Sequence, residues 1–126
     1  MRALNPDTVA QPASRYAQAI ETHAATRRLV ISGQIGIKLD GTICDGYEAQ
    51  AEQVWVNILA LLKADEMDVT NLIAIRVYDV APGNVVLYRA IRDRVLNGHL
   101  LAATYVIVAG LASPDFLTEI EAEAIK

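Results

Sequence analysis

The chain has 126 residues, and we interpret residues 1–126 as one domain with room for a buried core. Hydrophobic residues make up 53% and charged residues 21%, a balance that argues against disorder over any long stretch. The formal net charge of -4 argues against a nucleic acid as partner, and no apolar run reaches the ~20 residues that span a bilayer.

The predicted elements start after an extended N-terminal stretch. Residues 16–21 and 28–34 have the composition of two strands with a short polar link, which predicts a hairpin. Residues 35–46 contain three glycines and are typical of a loop. Over Tyr47–Ala64 the apolar residues recur at helical spacing, and this segment is the clearest helix of the chain.

The second half of the chain alternates strands and a helix. A β-branched run at residues 71–79 predicts a strand, and residues 84–97 predict a helix with Gly98 as its C-terminal cap. Two further strands follow at residues 102–109 and 116–124. The order ββαβαββ predicts an α+β fold, in which a mixed sheet of four or five strands carries both helices on one face.

The other face of this sheet needs a cover. Alternation in the last two strands indicates enough apolar side chains on that face to favour self-association, and cyclic symmetry is its usual form. Cys44 is the only cysteine and no signal-peptide pattern starts the chain, so we expect a cytoplasmic protein without disulfides.

Five short segments resemble, in chain order, the Rid family of YjgF-like reactive-intermediate deaminases. They are YAQA at 16–19, ISGQI at 31–35, a helix pattern with Gln50, Gln53 and Asn57, VIVAGL at 106–111 and EIEAEA at 119–124. The resemblance implies a chorismate-mutase-like fold and a homotrimer, whose three sheets form a central β-barrel with small-molecule clefts between subunits. Deaminating members hydrolyse enamines and imines to keto acids and ammonia without a metal or organic cofactor.

The sequence departs from the family pattern at the substrate clamp. An arginine on the penultimate strand holds the substrate carboxylate in the deaminases, and aligning the VIVAGL segment puts Ala103 at that position. Leu101 replaces a usual proline, Val85 replaces an asparagine that faces the cleft, and Glu66 lies near a usual glycine. We therefore place the chain in an arginine-lacking branch, which includes aminomuconate-type deaminases, and expect 2-aminoacrylate-type acids to be poor substrates.

The resemblance also predicts the site residues. Glu119 matches a glutamate that positions the hydrolytic water, and partial burial would raise its pKa for a proton shuttle. The alternative for Glu119 is an exposed acidic edge that it shares with two neighbouring glutamates. Tyr16, Gly33, Ala103 and Tyr105 are the predicted substrate-binding residues, although Tyr105 is equally consistent with an interface aromatic that has its hydroxyl at the rim.

The remaining charged and metal-binding residue types favour structural roles. Arg76 interrupts an apolar strand and either forms an ion pair or replaces the missing anion clamp, with the ion pair favoured. Arg89, Arg92 and Arg94 form a charged helix face of the kind that serves solubility. Two isolated histidines are typical of the surface, so we predict no metal site and no cofactor.

Three functions remain open from the sequence. The favoured one is a metal-free hydrolase of small enamines, imines or related amino compounds. The second is a trimer that binds a metabolite, or acts like a chaperone, without chemistry. The weakest is an endoribonuclease, because the chain is acidic and lacks a paired-histidine or metal-type site.

Overall fold

A computed structural model describes all residues 1–126 and shows a four-stranded mixed sheet with two helices packed on one face. The sheet has the order β3-β6-β4-β5, and only β4 and β5 run parallel. The predicted α+β architecture is confirmed. The elements are β1 (Arg2–Leu4), β2 (Ala19–Glu21), β3 (Arg28–Ile35), α1 (Tyr47–Ala64), β4 (Leu72–Asp79), α2 (Val85–Leu96), β5 (Ala102–Ile107) and β6 (Thr118–Ile125), with a 3-10 turn at Val69–Asn71.

Both helices occupy the predicted segments. Helix α1 has the predicted bounds, with Glu48 in its first turn and Lys63 in its last, where each charge complements the helix dipole. Helix α2 is one residue shorter than predicted at each end, because Asn97 already has left-handed backbone (φ 44) and Gly98 follows at φ 92. Neither helix combines the length and the apolar character needed to cross a membrane.

One cluster of 17 buried residues forms the core between the helices and the sheet. Helix α1 contributes the largest share, with Trp55, Ile58 and Leu62 almost fully buried along one stripe. Burying each such side chain contributes roughly 1.5–3 kcal/mol, so this stripe fixes α1 on the sheet. In β6 the even-numbered residues face this core and the odd-numbered residues face away.

The predicted N-terminal hairpin is wrong. Strand β2 pairs with β1, whereas β3 pairs antiparallel with the C-terminal strand β6. The link between β2 and β3 lacks the Gly and Asn residues that tight hairpin turns require. It leads instead to the chain end, where the backbone amides of Thr26 and Arg27 both donate to the Lys126 carbonyl at 2.9 Å.

The sheet surface without helices, called the open face below, is charged rather than apolar, contrary to the expectation from sequence. The odd-numbered residues of β6 that reach it are Glu119, Glu121 and Glu123. Exposed apolar side chains are sparse there, with Val30 on β3 and Val106 on β5 as examples. The alternation itself was correct, but in β6 it directs glutamates to this face and apolar residues to the core.

Glu66, after helix α1, has left-handed backbone with φ 55. This is the region where the sequence departs from a usual glycine. Left-handed backbone costs a residue with a side chain roughly 1–2 kcal/mol, whereas glycine adopts it without that strain. The departure therefore places local strain at the end of α1.

Candidate functional site

The five predicted site residues divide between the two faces of the sheet. Tyr16, Ala103 and Tyr105 lie together on the helix side, at the edge formed by β5. Gly33 and Glu119 lie together on the open face, on β3 and β6. A single chain therefore carries two separate groups of predicted site residues.

The first group lines a cavity of about 220 Å³ between α2, β5 and the N-terminal segment, called the α2–β5 cavity below. The N-terminal segment is fixed to the sheet edge because the Ala17 amide donates to the Leu101 carbonyl at 2.9 Å. This contact puts Tyr16 beside Ala103. Val85 also lines the cavity, so two positions at which we predict departures from the family pattern, Val85 and Ala103, lie in the same space.

The hydroxyl of Tyr105 is committed to the protein interior. It donates to Oδ2 of Asp79 at 2.6 Å, and its ring stacks on that of Tyr88 with the centroids 5.1 Å apart. Burial, followed by the Asp79 carboxylate, raises the pKa of Tyr105. The predicted alternative of a hydroxyl at the rim is therefore wrong, and Tyr105 presents its ring to the cavity.

Asp79 lies in a buried polar cluster that the sequence did not reveal. It ends β4, is fully buried, and its Oδ1 accepts no hydrogen bond. The hydroxyls of Tyr47, Tyr88 and Thr118 are also buried without partners. Burial, followed by Asp79, raises the pKa of Tyr47. Within this cluster, Tyr105 donates a well-formed hydrogen bond to the Asp79 side chain.

Arg92 is buried rather than part of an exposed basic helix face, contrary to the prediction. It is 2% exposed, its guanidinium carbon lies 5.5 Å from the centroid of the Tyr88 ring, and it lines the α2–β5 cavity together with Arg89. Burial is also the main cause that raises the pKa of Tyr88 to about 12. Of the three arginines, Arg94 alone lies on the exposed side, where it pairs with Glu52.

On the open face, Glu119 is held over Gly33. A methyl group at Gly33 would lie 2.0 Å from Oε1 of Glu119, so the glycine makes room for the carboxylate. Partial burial, and then the neighbouring Glu121, raise the pKa of Glu119. No cation lies within ion-pair distance of Glu119. A carboxylate of this kind can accept and return a proton closer to neutral pH than an ordinary glutamate.

The other glutamates of the open face are already paired. Arg76 contacts Glu123 at 3.1 Å, and Arg28 contacts the other oxygen of Glu123 at 2.7 Å. The Tyr78 hydroxyl donates to Glu121 at 2.9 Å. Arg76 thus forms an ion pair, as predicted, and it lies on the face opposite the α2–β5 cavity.

A wider groove of about 390 Å³ lies beside the buried Cys44. Gln50 spans it, donating to the carbonyls of Cys44 and Asp115 and accepting from the Leu117 amide. The groove contains none of the predicted site residues, and its central amide is used to join two loops. No group of three or more His, Cys, Asp or Glu residues is arranged to hold a metal ion anywhere in the chain.

The sequence contained a signal for Arg92 but not for Asp79. Arg92 lies four residues after Tyr88 and one after Ile91, and all three side chains are buried. The spacing from Tyr88 was therefore a better guide to the burial of Arg92 than its charge. Asp79 closes a strand just before a proline-glycine segment, where an aspartate ordinarily serves a turn.

Comparison with known proteins identifies the family and the fold of the chain. The family model described as Endoribonuclease L-PSP matches residues 7–126. A RutC family protein of Aquifex aeolicus is 30% identical over 79 residues, 62% of this chain and 61% of that protein, so the match spans less than two thirds of the relative. The crystal structure of YyfB, from the Rid protein family of Yersinia pestis, superposes with a TM-score of 0.90 at 29% identity over 99% of this chain and 98% of that one. RidA from an Antarctic Psychrobacter shares the fold, with a TM-score of 0.76 at 24% identity over 100% of both chains. The protein belongs to the Rid (YjgF-like) family.

Proposed function

We propose that this protein is a hydrolytic deaminase of small enamines or imines, which works without a metal or organic cofactor. The observation that carries the proposal is the geometry of Glu119, an unpaired carboxylate with a raised pKa that lies over a glycine. The family model's description names an endoribonuclease, but the acidic open face and the net charge of -4 disfavour a phosphodiester backbone.

The chemistry needs one proton acceptor that later becomes a donor. Glu119 accepts a proton from water as the water oxygen bonds to the carbon of the protonated imine and the C=N π electrons move to nitrogen, which gives a neutral carbinolamine. Glu119 then passes this proton to the amine nitrogen. The C–N bond breaks as the carbinolamine hydroxyl gives its own proton back to Glu119, and a carbonyl compound and ammonia leave. An enamine enters the same sequence after a proton adds to its carbon and forms the imine. A carboxylate with a raised pKa suits both roles near neutral pH.

The proposed cleft takes residues from two chains of a homotrimer. Glu119 and Gly33 lie on the open face, whereas Tyr16, Ala103 and Tyr105 lie on the helix side, so one chain cannot join them. A neighbouring chain seated on the open face would bring its own α2–β5 cavity to Glu119. Family membership and the paired, ordered charges of the open face support this assembly.

The substrate clamp of the family's deaminases is absent from β5. Ala103 offers only a methyl group to the α2–β5 cavity, which supports placing the chain in an arginine-lacking branch. Imines that carry a carboxylate directly on the reacting carbon should therefore be hydrolysed slowly.

The test measures ammonia release from a panel of freshly generated imines, with and without a carboxylate on the reacting carbon. Glu119→Gln should lose turnover, whereas Glu121→Gln, which removes only the lesser cause of the raised Glu119 pKa, should keep most of it. Equal turnover in Glu119→Gln and the unaltered protein would remove Glu119 from the mechanism. Saturable binding without turnover for any substrate of the panel would favour the metabolite-binding trimer instead.

Coexpression of two inactive chains tests the shared cleft. Ala103→Trp fills the α2–β5 cavity and Glu119→Gln removes the proton shuttle, so each variant alone should be inactive. In a cyclic trimer with sites between chains, a random mixture should regain about a quarter of the activity, because some clefts receive both intact halves. A mixture as inactive as its parents would show that both halves act within one chain.

A further inference from the structure

Arg92 is the one buried arginine of the chain. Its side chain is 2% exposed on a chain whose other salt-bridged arginines are 40–66% exposed. A buried guanidinium is costly unless its N–H groups find acceptors, so its surroundings indicate what the site is built to hold.

The protein itself satisfies only part of this guanidinium. Nε of Arg92 donates to Oδ1 of Asp93 at 2.9 Å, and Nη2 lies 2.8 Å from the same oxygen without hydrogen-bond geometry. A guanidinium has five N–H donors, and one hydrogen bond is made. Asp93 is the next residue along the helix and is itself 37% exposed, so it neutralises Arg92 from the solvent side only.

The space beside Arg92 is suited to an anion. The α2–β5 cavity is lined by two arginines, Arg89 and Arg92, and by no carboxylate. The hydroxyl of Tyr88, which also lines the cavity, is buried without a partner. Arg89 forms no ion pair, so its charge also remains available to a ligand. In this acidic protein, two arginines therefore border one small cavity.

We infer that the α2–β5 cavity binds the anionic group of a small carboxylate, with Arg92 as its principal ligand and Arg89 as a second cation. The planar fork of a guanidinium matches the two oxygens of a carboxylate, which is why arginine is preferred for this contact. The cation comes from helix α2, whereas the family's clamp would come from β5 at Ala103. The identification of this carboxylate as part of the substrate rests on the proposed function. The existence of the binding site is independent of that function.

The size and the position of the cavity narrow the ligand class. The cavity volume of about 220 Å³ equals the liquid volume of roughly seven water molecules, and this size suits a short-chain acid. Because Arg92 is on α2 and not on β5, the anionic group lies against the helix and need not be on the reacting carbon. Substrates of this class are enamines or imines whose carboxylate is separated from the C–N carbon.

Butanoate is the probe, and butanamide, of the same size without the charge, is the matched ligand control. Titration should give saturable binding of butanoate and at least tenfold weaker binding of butanamide. Arg92→Met keeps most of the side-chain volume and removes the charge, and should weaken butanoate binding by about tenfold or more. Arg94→Met removes an exposed arginine of the same helix, which pairs with Glu52 outside the cavity, and should leave binding unchanged. Equal affinity for both probes, or no effect of Arg92→Met, overturns the inference.

A measurement on the unaltered chain covers the case in which Arg92→Met does not fold. Butanoate should shift the Nε–Hε resonance of Arg92 in a saturable manner, and butanamide should not; an unmoved resonance overturns the inference.

Failure of the proposed function gives a different result. Butanoate binding that depends on Arg92, with no deamination of any imine, leaves the site standing and removes the activity. Deamination whose KM is unchanged by Arg92→Met would support the activity and remove Arg92 from the substrate site.

Discussion

Tyr105→Phe tests whether the buried polar cluster stabilises the fold. The change removes the hydroxyl that donates to Asp79 at 2.6 Å, so this fully buried carboxylate loses its well-formed hydrogen bond to Tyr105. A hydrogen bond to a charged group contributes about 1.5–3 kcal/mol, and the orphaned partner adds its desolvation cost. We expect the free energy of unfolding to fall by roughly 2 kcal/mol, which for a chain of this length lowers Tm by about 8 °C.

The assay is urea unfolding at pH 7 and at one fixed protomer concentration, since association couples stability to concentration. Tyr78→Phe is the matched control, because it removes a hydroxyl that bonds Glu121 at 2.9 Å on the open face. That change should cost less than about 0.5 kcal/mol. Combining Tyr105→Phe with Asp79→Asn should give less than the sum of the two single losses. Equal losses for Tyr105→Phe and Tyr78→Phe would refute the reasoning.

Three further predictions follow from the open face and from the strain after α1. The raised pKa of Glu119 means that its folded form binds protons more tightly than its unfolded form, so it lowers stability as pH rises above its ordinary 4.5. Glu119→Gln should therefore gain more stability relative to the parent at pH 7 than at pH 4, and a pH-independent difference in urea midpoints would contradict this. Gly33→Ala puts a methyl group 2.0 Å from the Glu119 carboxylate and should reduce deamination with little change in Tm; full activity would contradict the close contact. Glu66→Gly relieves left-handed backbone at φ 55 and should raise the free energy of unfolding by roughly 0.5 kcal/mol, and a loss of stability would contradict the strain.

The fold was predictable wherever local pattern decides the structure. Helix α1 was predicted to the residue, because its apolar stripe is regular and Gly46 and Asp65 interrupt helix formation at its two ends. The pairing of strands was harder to predict, because it depends on which distant strand shares a face of the core. The side chains of Leu29 and Ile31 on β3 contribute to the same core as those of β6, 95 residues along the chain, and no local pattern reveals this.

Site residues were predictable where they belong to a motif that resembles the family. They were not predictable where their role depends only on burial in the folded chain. The segments that resemble the family identified Glu119 and Gly33 as separate site residues, and the structure shows that they lie in contact although they are far apart in the chain. The sequence predicts a solvent-facing charge at Arg92, because it does not show that the N-terminal segment and α2 border the same cavity. Asp79 and its hydroxyl neighbours come from five different elements, so the cluster exists only in the folded chain.

Light scattering of the purified protein at micromolar concentration tests most directly the claim that two chains complete each site. The two groups of site residues lie on opposite faces of one protomer, so the account predicts a particle of three times the chain mass. A particle of one chain mass would leave Glu119 facing solvent and the α2–β5 cavity apart from it, and would contradict the shared cleft.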